Sequence, residues 1–178
     1  VHLFIGAAEL PLLSIAGLTT PAAVSAAVKT YRSKNPALPF IHAIAATHEQ
    51  FGPRTPITRQ LLDSIVADVP FAVGCFDHHT VWANTRALEV AGILKGRTLN
   101  TGNEIVMGAD GLATGELREF EAFGPVLALG ASGGRESAGI VTGRDPENVT
   151  SAQRAADVET MAAGIAHANA LGITSMHN

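Results

Sequence analysis

The sequence predicts an α/β fold, and two kinds of local pattern support this prediction. Two stretches, 38–45 and 71–76, are apolar and contain the β-branched and aromatic residues that are typical of buried strands. Around them, apolar residues recur at helical spacing, and two of these helical stretches follow a Thr-Pro pair, which favours a helix start. Strands that alternate with helices are typical of α/β proteins. The 178 residues suffice for one domain with a real core.

The composition excludes several classes of function. Hydrophobic residues make up 47% of the chain and charged residues 16%, which indicates a packed interior rather than a disordered chain. The 16 acidic and 12 basic residues are spread without a basic run, so we expect no binding to nucleic acid or to a membrane. The single cysteine, Cys75, excludes an intramolecular disulfide and lies in an apolar stretch. We therefore expect an inert buried thiol and a cytoplasmic protein.

The first half of the chain predicts three helices and the first strand. Residues 1–18 predict a loop and a short helix that lies against the core. Thr-Pro pairs then begin helices over 20–35 and over about 55–69, and the residue before a proline ends each of them. Within the strand at 38–45, we expect His42 to be a satisfied core or sheet-face histidine rather than a metal ligand. The apolar faces of the two longer helices contain Val24, Val28, Tyr31, Ile57, Leu61 and Ile65.

The second strand runs into Asp77, His78 and His79, the densest polar cluster in the sequence. We expect this cluster at a strand-to-helix junction, followed by a helix that begins near Trp82 and ends at Gly92. Folds of the α/β class place their chemistry beyond the carboxyl ends of strands, so the cluster is a candidate site. The alternative is that Asp77 caps the helix and that the two histidines are surface turn residues.

The region after this helix predicts a hairpin, a helix and a loop. Residues 104–115 are typical of a hairpin, and the Asp110-Gly111 pair favours a type I′ turn. Helical periodicity then extends over 116–129. The Gly- and Ser-rich stretch 130–148 predicts a mobile loop. A phosphate-binding loop is the less favoured alternative, because no strand leads into it and no Lys-Ser/Thr pair follows.

The last helix has the clearest start signal in the chain. Thr150 and Gln153 form the pattern of a capping box, and Gly172 stands where a helix cap is expected. The residues 173–176 predict a final strand. The predicted buried stripe of the helix contains Val158, Ala162 and Ile165.

Four segments carry a resemblance to a known family: VHLF at the start, PFAVGCFDHHTVWANTRALEVAGI in the middle, DGLATGELRE after it and ALGITSMHN at the end. In this order they resemble the amidohydrolase superfamily, in the amidohydrolase 3 branch of metal-dependent C–N hydrolases related to the N-substituted formamide deformylases. The resemblance implies an internal segment of a (β/α)₈ barrel protein. It implies that 1–18 follow the first barrel strand, that 19–150 form an inserted α/β lobe, and that 151–178 return to the barrel.

The resemblance also implies roles for five residues. His2 falls on the second histidine of a paired-histidine metal motif, which implies a ligand of one or two zinc ions. Asp77 and His79 fall on the Asp-Gly-His pattern, which implies a place beside the substrate. Glu119 falls on the glutamate of a Thr-Gly-any-Leu-any-Glu pattern, although a solvated helix-face carboxylate stays an open alternative. His177 ends the predicted final strand, where barrel folds carry function.

The sequence departs from the family pattern at two places. His78 stands where the family has glycine, and Thr47-His48-Glu49 stands where a Gly-Trp pair is common. His48 and Glu49 resemble a ligand or acid–base couple, but a polar loop explains them equally well. Asn84 is expected to be a structural hydrogen-bonding residue.

These observations favour a metal-dependent hydrolase that attacks an amide or formamide bond with zinc-activated water. The expected partner is a small amide-type substrate, and a homo-oligomer is possible. Because the remaining metal ligands and the catalytic aspartate of the family have no counterpart here, activity is expected only in the intact protein. The alternative is a non-catalytic binding or structural module.

Overall fold

A computed structural model describes residues 2–137 and 148–177. The chain divides into two compact units, which we call the sheet unit and the terminal unit. The sheet unit contains Leu13–Gly130, and the terminal unit contains Val1–Leu12 together with Ala131–Asn178. Most of the predicted mobile loop, residues 138–147, lies outside the described residues.

The sheet unit is built on one six-stranded mixed sheet, which confirms the predicted α/β class. The spatial order of its strands is β1-β2-β3-β4-β6-β5. The first three strands are parallel, and the remaining pairs are antiparallel. The strands are β1 (Leu13–Ser14), β2 (Ile41–Ala46), β3 (Phe71–Cys75), β4 (Thr80–Ala83), β5 (Glu104–Met107) and β6 (Ala113–Arg118).

Six α-helices are found among the described residues, four of them in the sheet unit. A short 3₁₀ turn, Arg135–Ser137, belongs to the terminal unit. None of the described helices combines the length and the apolar composition that a membrane crossing requires. The helices are α1 (Leu3–Glu9), α2 (Pro21–Lys34), α3 (Arg59–Ile65), α4 (Thr85–Val90), α5 (Phe120–Leu127) and α6 (Ser151–Ala170).

Of the two helices predicted from Thr-Pro pairs, one is confirmed and the other begins later than predicted. The prediction of α2 is confirmed, because the Thr20 side chain accepts a hydrogen bond from the Ala23 N–H at 3.2 Å and Pro21 occupies the first turn. The predicted start of α3 at Thr55 is wrong, since Thr58 is the residue that caps this helix, and the helix ends at Ile65. Both threonines are possible caps, and the sequence pattern does not distinguish them.

The main correction concerns the stretch after β3. Trp82 lies on β4 rather than at the start of a helix, and it pairs with Val73 across the sheet. The polar cluster therefore lies in a hairpin turn between two antiparallel strands. All four residues of β4 are buried, so the strand lacks the polar alternation that would have identified it.

Asn84 follows β4 and caps α4, and the prediction that it is structural is confirmed. Its Oδ1 accepts hydrogen bonds from the N–H groups of Ala87 at 2.8 Å and Phe71 at 3.0 Å. Its Nδ2 donates to the carbonyls of Val66 at 2.7 Å and Val69 at 2.9 Å. The side chain is completely buried, and these bonds use both its oxygen and its nitrogen.

The predicted hairpin at 104–115 is confirmed as β5 and β6, but its turn is not type I′. A type I′ turn needs a positive φ at both central residues, and Gly111 has one (75°) whereas Asp110 does not. The helix predicted over 116–129 is wrong at its start, because Glu116 and Leu117 pair with β4. Helix α5 begins only at Phe120.

The core of the sheet unit has two layers, one on each face of the sheet. Alternate residues of β3 point to opposite faces, so that Val73 belongs to one layer and Ala72 to the other. Helices α2 and α3 contribute Val28 and Leu62 to the first layer. Helices α4 and α5 contribute residues such as Leu88 to the second. This packing fixes the strands, and hence the loops at their ends.

The terminal unit confirms both caps of α6 but not its buried face. Gln153 N–H donates to the Thr150 Oγ1 at 3.2 Å, and the Gln153 side chain accepts from the Thr150 N–H at 2.9 Å, which is a capping box. Gly172 has a φ of 80°. The predicted stripe is wrong, since Val158 is 63% exposed and Ile165 is 45% exposed. The described residues 173–176 form no strand.

The helix packs instead through small residues. The buried residues of α6 are Gly164 and Ala168. A Cβ atom added to Gly164 would lie 2.5 Å from the Ala7 Cβ, so the absence of a side chain lets α1 approach α6 closely. Arg135 also forms an ion pair with Asp157 of α6 at 2.6 Å.

Candidate functional site

The candidate site lies at one edge of the sheet unit, where three strands end. Strands β2 and β3 are parallel, and β6 runs in the same direction as β3 because each of them is antiparallel to β4. Their carboxyl ends therefore meet at the same edge. His48, Asp77 and Glu119 follow these three ends within two residues of each strand. The expectation that chemistry-bearing residues lie beyond carboxyl strand ends is met, although by a hairpin rather than by a strand-to-helix junction.

The turn between β3 and β4 is held by the carboxylate of Asp77. Its Oδ1 accepts a hydrogen bond from the His79 N–H at 3.0 Å, and the His78 N–H donates to the Cys75 carbonyl at 3.1 Å. The capping role considered for Asp77 is therefore wrong, because its oxygen holds a turn and not a helix end. Burial raises the pKa of Asp77, but hydrogen bonds from the His79 N–H, Cys75 and His48 outweigh it, and the pKa is lowered overall.

The backbone conformation at His78 accounts for the glycine that the family pattern has at this position. Its φ is 62°, in the left-handed region that side chains with a Cβ rarely adopt. The family has glycine at this position, and glycine reaches this region without steric cost. His78 is exposed, so its bulk projects into solvent.

His79 and Glu119 form a direct pair across the edge of the sheet. The His79 Nδ1 lies 3.0 Å from Glu119 Oε1 and 3.2 Å from Oε2. The backbone joins them as well, because the Glu119 N–H donates to the His79 carbonyl at 2.9 Å. Glu119 has a φ of 65° and makes no side-chain cap to α5. Its carboxylate therefore faces His79 rather than serving as a free helix-face residue.

The structure thus brings together Asp77, His79 and Glu119, the three residues predicted to be catalytic. The side chains of His79 and Glu119 are 68% and 46% exposed, so a small molecule in solution can reach both. The arrangement is a carboxylate–imidazole pair on a fixed turn. Such a pair can accept or donate a proton at the imidazole, and it can bind a polar group of a ligand.

His48 was left open in the sequence, and the structure brings it to the same edge. Its Nε2 lies 3.4 Å from Asp77 Oδ2, and its ring meets Trp82 edge-on at a centroid distance of 5.3 Å. Glu49 is exposed and takes no part in the cluster. Cys75 lies beside Asp77, and burial together with the neighbouring carboxylate raises the pKa of its thiol.

Gln50 is a supporting residue that the sequence did not indicate. Its Oε1 accepts from the Thr47 N–H at 2.9 Å, and its Nε2 donates to the carbonyls of Ile15 at 3.0 Å and Leu18 at 2.8 Å. These bonds fix the loop that carries His48. Since Ile15 and Leu18 lie more than 30 residues away in the sequence, no local pattern indicates this role of Gln50.

His42 does not meet the expectation of a satisfied core histidine. Its Nε2 is buried and has no hydrogen-bond partner in the described part of the chain. Burial, and to a lesser extent the charge of His78, lowers the pKa of His42 to about 4. The imidazole is therefore neutral at physiological pH.

The two remaining predicted residues lie in the terminal unit. His2 is exposed at the N-cap position of α1, and its side chain makes no capping bond. His177 follows a coil rather than a strand, so the prediction that it ends a barrel strand is wrong for this structure. The assignment of His2 to a metal stays a prediction.

Comparisons with known proteins show the family of the chain and two solved structures of similar fold. A sequence model described as the amidohydrolase family matches residues 1–178. A crystal structure of an uncharacterized metal-dependent hydrolase from Pyrococcus horikoshii OT3 is similar, with a TM-score of 0.56, 16% identity, and coverage of 98% of this chain and 28% of that chain. Its counterpart from Pyrococcus furiosus has a TM-score of 0.53, 18% identity, and coverage of 98% and 29%. No curated protein matches.

Proposed function

Because the chain belongs to the amidohydrolase family, we propose that it is part of a metal-dependent hydrolase of C–N bonds in amides or formamides. The observation that carries this proposal is the His79–Glu119 pair on the turn fixed by Asp77. The chain spans 28% and 29% of the two similar solved structures. We propose that the intact protein is a (β/α)₈ barrel, that 19–150 form its inserted lobe, and that it is related to the N-substituted formamide deformylases.

The role of His79 follows from its partner. The Glu119 carboxylate accepts the proton on Nδ1, which favours the imidazole tautomer with an unprotonated Nε2. That nitrogen is then free to accept a hydrogen bond from the N–H of an amide or formamide substrate. Asp77 holds the backbone of His79 and so positions the ring for this contact.

His2 fits one ligand position of the metal centre, since it is exposed and carries an imidazole, the group that zinc prefers alongside thiolate and carboxylate. Catalytic zinc centres use three protein ligands, so the other ligands and the general base are assigned to further parts of the intact protein. The chemistry that zinc supplies there is the acidification of a bound water to hydroxide near neutral pH.

The proposal is tested on the zinc-loaded intact protein with a panel of N-substituted formamides and simple amides. His79→Ala removes the contact with the substrate N–H, and we expect a loss of kcat/KM of about 10- to 100-fold. Glu119→Gln keeps the size of the side chain but removes the charge, and we expect a loss of about tenfold. The matched control is His167→Ala, which removes an exposed histidine of α6.

Two results would contradict the proposal. Wild-type turnover in His79→Ala would show that the pair does not face the substrate. Absence of any turnover by the zinc-loaded wild type across the panel would instead favour a non-catalytic binding or structural module.

A further inference from the structure

Three different metal-ligating side chains converge at the edge of the sheet unit. One potential ligand atom from each of His48, Cys75 and Asp77 lies within 4.8 Å of the other two. The convergence is a consequence of the fold, because β2 and β3 are parallel neighbours and Ala46 pairs with Cys75 in the sheet. His48 and Asp77 each follow their strand by two residues, and their Nε2 and Oδ2 atoms lie 3.4 Å apart at this edge.

His48 and Asp77 form a long hydrogen bond, and the same distance is also compatible with a shared metal ion. Their Nε2 and Oδ2 atoms lie 3.4 Å apart, which is long for a hydrogen bond between charged groups. Two ligands of a tetrahedral zinc ion, bound at the usual Zn–N and Zn–O lengths, lie about 3.3–3.5 Å apart. The two atoms therefore already have the separation that a tetrahedral metal ion requires.

The set of donors selects the class of metal. A thiolate, an imidazole and a carboxylate are ligands of zinc and chemically similar divalent transition metals. Calcium and magnesium take oxygen ligands, so a buried sulfur and an imidazole disfavour them. Three protein ligands leave the fourth tetrahedral position open to water or to a ligand.

The ligands are also held in place by neighbouring groups. The indole of Trp82 packs against the His48 ring at an interplanar angle of 78°. The Oδ1 of Asp77 is occupied by the His79 N–H, which leaves Oδ2 on the side of His48. Groups of this kind orient metal ligands and reduce the entropy lost when the ion binds.

We propose that His48, Cys75 and Asp77 form a binding site for a zinc-class divalent ion. This inference does not rest on the proposed hydrolase function. The thiol of Cys75 is protonated without metal, since burial raises its pKa. On binding, the sulfur–metal bond replaces the S–H bond, and the proton passes to solvent.

The site is tested by titrating the 178-residue chain with Co²⁺, which takes zinc sites and has a visible spectrum. A cobalt–thiolate bond produces a charge-transfer band in the near ultraviolet, and Cys75 is the only cysteine in the sequence. We expect this band to saturate at one Co²⁺ per chain and to disappear when Zn²⁺ is added. Cobalt at His2 produces no such band, because that position has no sulfur ligand.

Variants separate this site from an adventitious contact. Cys75→Ser removes the band, and His48→Ala weakens Co²⁺ binding by about tenfold or more while the thiolate remains. The control His167→Ala binds as the wild type does. His48 has a side chain that is 55% exposed, so its replacement leaves the fold intact, which a circular dichroism melt verifies. Absence of the band in the wild type, or equal Co²⁺ affinity in His48→Ala, would overturn the proposal whether or not the intact protein hydrolyses amides.

Discussion

The interior of the sheet unit and the edge with the candidate site each contain a residue with a positive φ, but the surroundings of the two residues differ. Gly115 lies on β6 with a φ of 111°, and an added Cβ would lie 2.6 Å from the Arg59 backbone nitrogen and 2.9 Å from the Ala83 carbonyl oxygen. His78 lies in the edge turn with a φ of 62° and is exposed. Gly115 is therefore limited by space as well as by its backbone conformation, whereas the limit identified at His78 is its backbone conformation.

This difference explains why position 115 has no room for a side chain, whereas the turn can hold the side chain of His78. Gly115 is the glycine of the segment that resembles the Thr-Gly-any-Leu-any-Glu pattern. Backbone atoms of two neighbouring elements occupy the space that its Cβ would need, and backbone cannot move aside as a side chain can. At position 78, the left-handed backbone conformation is enough to explain why the family pattern has glycine there.

The largest expected effect is that of Gly115→Ala. The new methyl group meets the backbone of α3 and β4 in a strained conformation, and we expect a loss of about 3 kcal/mol or more in the free energy of unfolding. The measurement is urea unfolding followed by circular dichroism. The control is Gly102→Ala, whose φ is 95° but whose Cβ would meet nothing within 4 Å. We expect a loss of about 1 kcal/mol there, and equal losses in the two variants would refute the contrast.

A second interior effect depends on pH through His42. Its pKa is about 4 in the folded protein and 6.5 in the unfolded chain, so the unfolded state binds more protons between these values. Protonation of His42 therefore does not reduce the free energy of unfolding above about pH 6.5. As the pH falls toward 4, it lowers this free energy by up to about 3 kcal/mol.

The variant His42→Leu tests this dependence, because it replaces the titrating group with an apolar side chain of similar size. We expect its free energy of unfolding to fall less than that of the wild type between pH 7 and pH 4.5, measured by urea unfolding at each pH. His167→Ala, at an exposed position, should keep the wild-type profile. Parallel profiles for His42→Leu and the wild type would contradict the prediction, because they would show that His42 does not contribute to the loss of stability at low pH.

The elements that the sequence predicted well are those with local signals. Helix α2 has its cap, its proline and its apolar period within one short stretch, and all of them are satisfied locally. Strand β4 was missed because four buried residues show no alternation, and Val81 continues a helical spacing toward Leu88. The sequence correctly predicted that α6 is a helix. Its buried face was predicted wrongly because that face depends on a tertiary contact, the one between Gly164 and α1.

The candidate site was predicted in part for the same reason. Asp77, His79 and Glu119 were identified because each stands in a motif that can be read from consecutive residues. The approach of His48 to Cys75 depends on the register of two parallel strands, in which Ala46 lies opposite Cys75. Periodicity within either strand contains no information on that register, so the metal-ligating cluster emerges only in three dimensions.

The smallest expected effect is at the edge, where His78→Gly restores the family residue. Glycine relieves the strain of the left-handed conformation, but it also makes the unfolded chain more flexible. Because these two effects oppose each other, we expect the free energy of unfolding to change by less than about 1 kcal/mol. His78→Val tests the same position from the other side, because a β-branched side chain tolerates a φ of 62° poorly, and we expect a loss of about 1–2 kcal/mol. Thermal and urea unfolding of the two variants measure the difference. If valine were tolerated as well as glycine, the backbone would not limit this turn, and the contrast with Gly115 would fail.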